Sequence, residues 1–269
     1  MASESLRCFA QLALIITSFL LQHRSLPSKN SLAILTRGPC NLIGPYFCFT
    51  IYQFHMAITM AAGIAIANTI VFRYLVIISN HMITVTHIYL LIFIGYIFPI
   101  IVTIIPFTGK WDFVVLRNLT RLDHSTYDLS VYGEYPGFYD AQNIQFLTAT
   151  VILAIGVYGL PILTSVLTRK VLILIKYHQN MGLLVQTVYP LLAYIPSFTC
   201  YLYTQTTGEE ILLSEHLILA TASSPGLLDP LISFYFVVPY REAILYFLCP
   251  NKRPKRIVVA VSVTRSTTL

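Results

Sequence analysis

Apolar residues along this chain come in long blocks, not in helical stripes. Six blocks can be read: Cys8 to Leu21, Pro45 to Val71, Val85 to Phe107, Phe146 to Leu167, Leu183 to Tyr203, and His216 to Val238. The last five are each long enough for a helix to cross a hydrocarbon layer of ~30 Å. An amphipathic helix of a water-soluble protein shows polar residues on every turn. These blocks do not, so the pattern predicts an all-α, polytopic transmembrane helix bundle with six visible spans.

Composition supports this reading. The chain has 269 residues, of which 56% are apolar and only 10% charged, with mean hydropathy +0.72. A soluble domain carries about a quarter charged residues. A disordered chain needs many charges and few apolar groups. Both classes are excluded. The net charge of +6 does not point to nucleic acid, because the basic residues sit in loops and in the C-terminal tail. The domain reading is a bundle over 1–250 followed by a basic cytoplasmic tail over 251–269.

The first block is ambiguous. Arg7 precedes about fourteen apolar-leaning residues, which also fits a signal-peptide core. No small-x-small cleavage site follows Leu21, so it is read as a helix of the bundle.

Loop charges give sidedness. Segments 72–84, 168–182 and 239–269 hold Arg73, Arg169, Lys170, Lys176, Arg241, Lys252, Arg253, Lys255, Arg256 and Arg265 against one acid, Glu242. Segments 22–44, 108–145 and 204–215 are richer in acids: Asp112, Asp123, Asp128, Glu134, Asp140, Glu209, Glu210 and Glu215. The positive-inside bias puts the first set, and so the C-terminus, in the cytoplasm. Six spans put the N-terminus there as well. The sequon at Asn118 falls in the longest loop of the opposite side, where glycosylation is expected.

The second block is the most informative. Ala57, Ala61 and Ala65 recur every four residues, and Gly63 and Ala67 form a further small pair. Small residues at this spacing let helix backbones approach closely, which predicts a central helix. The block also carries Gln53, His55, Thr59 and Asn68, which should face the bundle interior. Two readings stay open: interhelical hydrogen bonding, or a ligand cavity near Gln53, His55 and Thr59. Prolines 99, 106, 161, 190, 196, 225 and 230 interrupt the later blocks. They fit either a static shape or helix halves that swing. Asp229 is the only acid well inside a block, which makes it a functional candidate.

Residues 240–249 read as a short interfacial helix ended by Pro250. Cys249 is then a juxtamembrane cysteine open to palmitoylation, and the basic tail favours anionic lipid. The five cysteines include no CxxC pair. Cys40 has no partner in the 108–145 loop. A Cys40–Cys48 or Cys40–Cys200 bond is open, and nothing in the sequence calls for either. Clustered metal or catalytic spacings are lacking, so neither a metal, a cofactor nor an enzyme is expected.

Four stretches carry a family likeness: Gly38-Pro39-Cys40 to Cys48, Phe72-Arg73-Tyr74, Tyr194-Ile195-Pro196, and Asp229-Pro230 through Tyr235 to Arg241. With them the chain resembles nematode seven-transmembrane chemoreceptors, specifically the serpentine receptor class D family, with the Str and Srh classes as alternatives. The likeness covers about residues 5 to 250. It implies a rhodopsin-like receptor bundle in the plasma membrane, in sensory neuron cilia. It implies a small-molecule ligand and a heterotrimeric G protein as partners. Arg73, Tyr74, Asp229, Pro230 and Tyr235 would then form the coupling and switching machinery. There are departures. Phe72 stands where such receptors carry an acid, and Ser233 stands where their last-helix motif has tyrosine. Aligned this way, the first block corresponds to the family's second helix and its first helix is expected to be missing. The alternatives are a receptor copy without signalling and a transporter, although no internal repeat supports the transporter.

Overall fold

The computed structural model describes residues 2–78, 85–174 and 181–236. Its long helices follow the apolar blocks. They are α1 (Ala2–Leu21), α2 (Pro45–Ile78), α3 (Val85–Phe107), α5 (Ile144–Ala154) continued by α6 (Leu160–Leu174), α7 (Met181–Thr207) and α8 (Leu212–Phe236). Segments 45–72 and 144–173 are each long and apolar enough to cross a membrane, and Cys8–Leu21 and Ile92–Phe107 are shorter apolar runs. Apolar surface faces outward on these helices, for example Phe9, Phe19, Phe93, Ile162 and Leu192. A lipid-facing surface has that character.

The bundle is built around α2, which packs against α1, α3 and α6. Helix α8 closes on α7 and α1, and α7 packs on α6. The small residues explain the central place of α2. Ala57, Ala61, Ala62, Ala65 and Ala67 are all buried. On the facing helix, a Cβ built on Gly95 would stand only 2.8 Å from Ile64 Cγ2. Close backbone approach is the main route to helix packing where lipid removes the hydrophobic drive. The first block, which also fitted a signal peptide, is a bundle helix packed on α2 and α8.

A purely helical reading needs one correction. Segment 22–44 contains a hairpin, β1 (His23–Pro27) and β2 (Leu32–Thr36), and β3 (Gly137–Phe138) extends it into a three-stranded antiparallel sheet. His23 lies opposite Thr36, Pro27 opposite Leu32, and Ala33 opposite Gly137. The sheet lies across one end of the bundle. The close contact of Gly38 with the end of α1 fixes its position: a Cβ there would fall 2.0 Å from Leu20 O. A 3₁₀ turn (Pro39–Leu42) follows, and a Cys40–Cys48 disulfide ties it to the first turn of α2. Cys200 is free.

The rest of the cap comes from segment 108–143. Helix α4 (Phe113–Asp123) is capped by Asp112, whose carboxylate accepts from Val114 N at 3.1 Å and Val115 N at 3.0 Å. That satisfies two of the orphan donors of a helix start. Aromatic rings hold the cap to the bundle: Phe49 meets Trp111 at 4.8 Å and Phe138 at 5.2 Å, and Phe138 meets Phe146 at 4.9 Å.

Between α5 and α6 the helix passes through a π turn, Ile155–Gly159. Pro161 follows directly and brings no backbone N–H, so the regular ladder is already broken there. Pro99 and Pro106 lie inside α3, and Pro190 and Pro196 inside α7. The expected interfacial helix at 240–249, Cys249 and the tail 251–269 lie outside the described residues.

Candidate functional site

One stripe of α2 makes the first wall of a cavity between the helices. Gln53, Met56, Thr59, Met60, Gly63 and Ile66 recur at intervals of three and four, so they share one helix face. The opposite wall is α5 and α6, through Ala149, Leu153, Gly156, Leu160 and Thr164. Helices α7 and α8 supply a third wall, including Tyr194, Ser197, Tyr201 and Ala222. The sheet forms the roof through Ser25, Leu32 and Phe138. Small residues and the π turn keep the space open, because Gly63, Gly156 and Ala149 put no bulk into it.

The cavity volume is about 150 Å³. An engineered cavity of about this size in another protein admits benzene. Its described lining has no charged side chain. Two polar atoms in that lining are buried without a partner, Ser25 Oγ and Gln53 Nε2; their residues are 2% and 3% exposed. Leaving such a group unpaired costs about 1–3 kcal/mol. A bound molecule that hydrogen-bonds both groups would recover that cost. Several other hydroxyls in the wall already spend their proton locally. Thr59 Oγ1 donates to His55 O at 2.8 Å, Thr164 Oγ1 to Pro161 O at 3.0 Å, and Ser197 Oγ to Ala193 O at 2.6 Å.

Gln53 and Thr59, expected at a ligand site from the sequence, both line this cavity. His55 does not. Two residues along a helix turn it by about 200°, so His55 points to α1 when Gln53 points to the cavity. His55 Nδ1 lies 3.0 Å from Thr17 Oγ1. The Thr17 hydroxyl already donates to Ala13 O at 2.9 Å and Leu14 O at 3.1 Å. The donor of the Thr17–His55 bond depends on the His55 tautomer, and Nε2 of the ring is buried without a partner. The structure adds Ser25, Phe138, Tyr194 and Ser197 to the site. They reach the cavity from β1, β3 and α7, and of the four only Tyr194 lies in a stretch that the sequence singles out.

A polar network ties the roof to the bundle. Glu215, 1% exposed in the first turn of α8, takes Arg24 Nε at 2.7 Å and Tyr127 OH at 3.0 Å. The Arg24 guanidinium also lies 4.9 Å over the Tyr127 ring. Burial and the bond to Glu215 push the Tyr127 phenol up to about 12. His124 Nδ1 meets Glu210 Oε1 at 2.8 Å and its ring stacks on Tyr127. Ser28 bridges Asp123 and Gln205, donating its hydroxyl to the first and accepting at its carbonyl from the second. Glu215, counted from sequence among loop acids, is thus a buried structural carboxylate.

The remaining candidates stand apart from the cavity. Arg73 and Tyr74 lie in the last turns of α2, with Arg73 about 30 Å along the axis from Gln53 by the rise per residue. Tyr74 packs on Ile66, Ile70 and Val171, with Lys170 Nζ 5.9 Å over its ring. Asp229, Pro230 and the exposed Tyr235 lie in α8. Asn118 is exposed on α4, while Thr120 of the same sequon is buried and donates to Leu116 O at 2.8 Å.

Comparison with known proteins gives the family. The chain is 48% identical to Serpentine receptor class delta-59 of Caenorhabditis elegans, over 94% of this chain and 81% of that protein. It is 28% identical to Serpentine receptor class delta-51 over 85% of this chain and 71% of that protein, and 29% identical to Serpentine receptor class delta-50 over 81% and 68%, both also from C. elegans. No solved structure matches it. Residues 5–246 match the family described as Serpentine type 7TM GPCR chemoreceptor Srd; the chain belongs to this nematode family of multi-pass membrane receptors, which are receptors and not enzymes.

Proposed function

We propose that this chain is a plasma-membrane chemosensory receptor for a small, neutral, mostly apolar molecule bearing one or two hydrogen-bonding groups. The observation that carries the reading is the pair of unpartnered buried atoms, Ser25 Oγ and Gln53 Nε2, in an uncharged cavity of about 150 Å³. Apolar walls with a few convergent polar groups are the usual form of a small-molecule site. Family membership supports a receptor over a transporter.

In this reading the six apolar helices cross the membrane and the sheet-capped end faces outward. That placement follows the loop charges and sets Asn118 on the glycosylated side. The opposite end faces a heterotrimeric G protein, with Arg73, Tyr74, Asp229, Pro230 and Tyr235 as the coupling and switching residues. Cys249 is then the lipid-modified cysteine and 251–269 the cytoplasmic tail. The ligand acts by binding one helix arrangement better than another, and only that difference in affinity shifts the population. The rigid central helix links the two ends, because Gln53 and Arg73 share it.

The test is a panel of neutral alcohols, ketones and esters on sensory-neuron-like cells that express the chain with a G-protein reporter. A responding ligand should lose at least tenfold in potency with Gln53→Leu. It should be excluded by Ala149→Phe, which fills the cavity. Arg73→Ala should abolish signalling at normal surface expression. Unchanged potency in both cavity variants sinks the site, and normal signalling by Arg73→Ala sinks the coupling role.

A further inference from the structure

The bundle cavity continues toward the capped end along the seam between α3 and α5. A small cleft of about 20 Å³ lies there, and it shares Pro106, Phe138 and Phe146 with the cavity. The same helix faces line both spaces. On α5, Gln145 lines the cleft, Phe146 borders both, and Ala149 and Leu153 line the cavity, a spacing that puts them on one stripe. On α3, Val102 lines the cavity and Pro106, one turn on, borders both. Exposure rises along the same line. Pro106 and Phe146 are buried, Phe138 and Gln145 are half-buried, and Lys110 and Asp140 in the cleft lining are exposed.

The partition is braced on two sides. Trp111 Nε1 donates to Pro106 O at 3.0 Å, which ties down the end of α3. Asn143 caps α5 and accepts from Gln145 N at 3.1 Å. The third side is the Phe138 ring, carried by a strand of two residues. Its centroid lies 4.9 Å from Phe146 and 5.2 Å from Phe49. Ring contacts have no hydrogen bond to break, so this side chain can turn aside while the strand stays paired to β2. Gln145 adds an independent observation. Its Oε1 is buried without a partner in the lining of the cleft. An acceptor left open there suits a molecule that carries a hydrogen-bond donor past it.

We propose that the ligand of the bundle cavity enters and leaves through this seam, with the Phe138 ring as the gate. The proposal rests on the reading of that cavity as the ligand site. The rival path runs sideways from lipid between the helices.

The experiment uses the full chain in phosphatidylcholine nanodiscs and needs no ligand. Ala149→Cys puts a thiol into the cavity. Neutral methyl methanethiosulfonate is the probe: the thiolate takes its methylthio group and methanesulfinate leaves. Peptide mass spectrometry follows this thiol apart from the native cysteines. Gln145→Trp and Lys110→Trp fill the cleft from outside the cavity, and each should slow the modification about tenfold, one decade of barrier. Lys110 is exposed, so Lys110→Trp should keep the melting temperature and serves where Gln145→Trp does not fold. Phe138→Ala should speed the modification by about the same factor, and Lys110→Trp added to it should cancel the gain. An unchanged rate in folded Lys110→Trp would overturn the proposal in favour of entry from lipid. A thiol that does not react in the folded protein, or reacts no faster in Phe138→Ala, would overturn it as well. Access that depends on the cleft, together with ligand potency that ignores Gln53→Leu, would sink the cavity as the ligand site and not the passage, so the two failures read differently.

Discussion

Glu215 is the best place to test how the cap is held. Its carboxylate is 1% exposed and receives Arg24 from β1 and Tyr127 from the loop after α4. Three chain segments far apart in sequence therefore meet on one residue. Removing one partner of a buried ion pair costs about 3–5 kcal/mol, because the other charge stays behind without compensation. The Arg24 head is 20% exposed, so water recovers part of that loss. This lowers the expected cost of Glu215→Ala to about 2–3 kcal/mol. Glu215→Gln keeps the shape and one acceptor but loses the charge, and should cost roughly half as much.

Thermal unfolding in nanodiscs reads the stability change, and amide exchange over 23–36 shows where it falls. In Glu215→Ala the hairpin amides should lose protection before those of α2. A double-mutant cycle with Arg24→Ala isolates the pair, and its coupling should be at least about 1 kcal/mol. A Glu215→Ala protein within about 0.5 kcal/mol of wild type, the range of a neutral surface change, would refute the claim that this carboxylate anchors the cap.

Three further outcomes follow from particular residues. Burial, with His55 adding to it, holds His23 neutral and pushes its pKa from the ordinary 6.5 down to about 3. The unfolded chain therefore takes up a proton near pH 6.5 that the fold refuses, so stability falls as pH drops from 6.5 toward 3. At pH 5 the loss is about 2 kcal/mol; melting curves between pH 7 and 5 should show it, and His23→Gln should flatten the slope. The Cys40–Cys48 bond closes a loop of sequence separation 8, worth about 2.5 kcal/mol by chain entropy. Reductant should lower the melting temperature of wild type and leave a Cys40→Ser, Cys48→Ser protein unmoved. Gly95→Ala forces a Cβ to 2.8 Å from Ile64 Cγ2, and such overpacking costs about 1–3 kcal/mol. Ile64→Ala in the same chain should restore part of it, and if the two costs simply add, the contact is not what makes Gly95 necessary.

Sequence legibility varied with the physical signal. Long apolar blocks predicted the helices well, and 85–107 matches α3 at both ends. The small-residue spacing of 57, 61 and 65 located the central helix, since close approach needs those residue types. The hairpin was hidden because β2 is buried at all five positions, so it shows no alternation of apolar and polar residues. Pro27 ends β1, and a residue with no N–H to give a ladder is itself a poor strand signal. The disulfide was an open pairing among several. Gln53 and Thr59 were read as cavity residues, but His55 was grouped with them against its helical phase. Ser25 gave no signal at all, because its role depends on a hairpin folding back over the bundle. The role of Glu215 depends on Arg24, 191 positions away, a distance over which a single sequence carries no pairing information.

The three faces of α2 explain how a small ligand could matter far from its cavity. One face lines the cavity from Gln53 to Ile66. A second meets α1 through the His55–Thr17 bond at 3.0 Å. A third meets α3, where Ile64 stands against Gly95. Close-packed interiors yield by shifting between discrete arrangements and do not compress. A molecule that pushes on the Gln53 face therefore moves α2 as a rod, against α1 and α3, or does not move it. The same rod ends at Arg73 and Tyr74, with Tyr74 seated against Val171 of α6. Helix α6 also lines the cavity, through Leu160 and Thr164. Two helices thus connect the cavity to the far end, and a relative slide between them is felt at Tyr74. The π turn at 155–159 is the weakest point of this pair, because its hydrogen-bond ladder is already interrupted beside Pro161. A ligand that favours one register of that turn would set the position of α6 against Tyr74 without rebuilding the packed core.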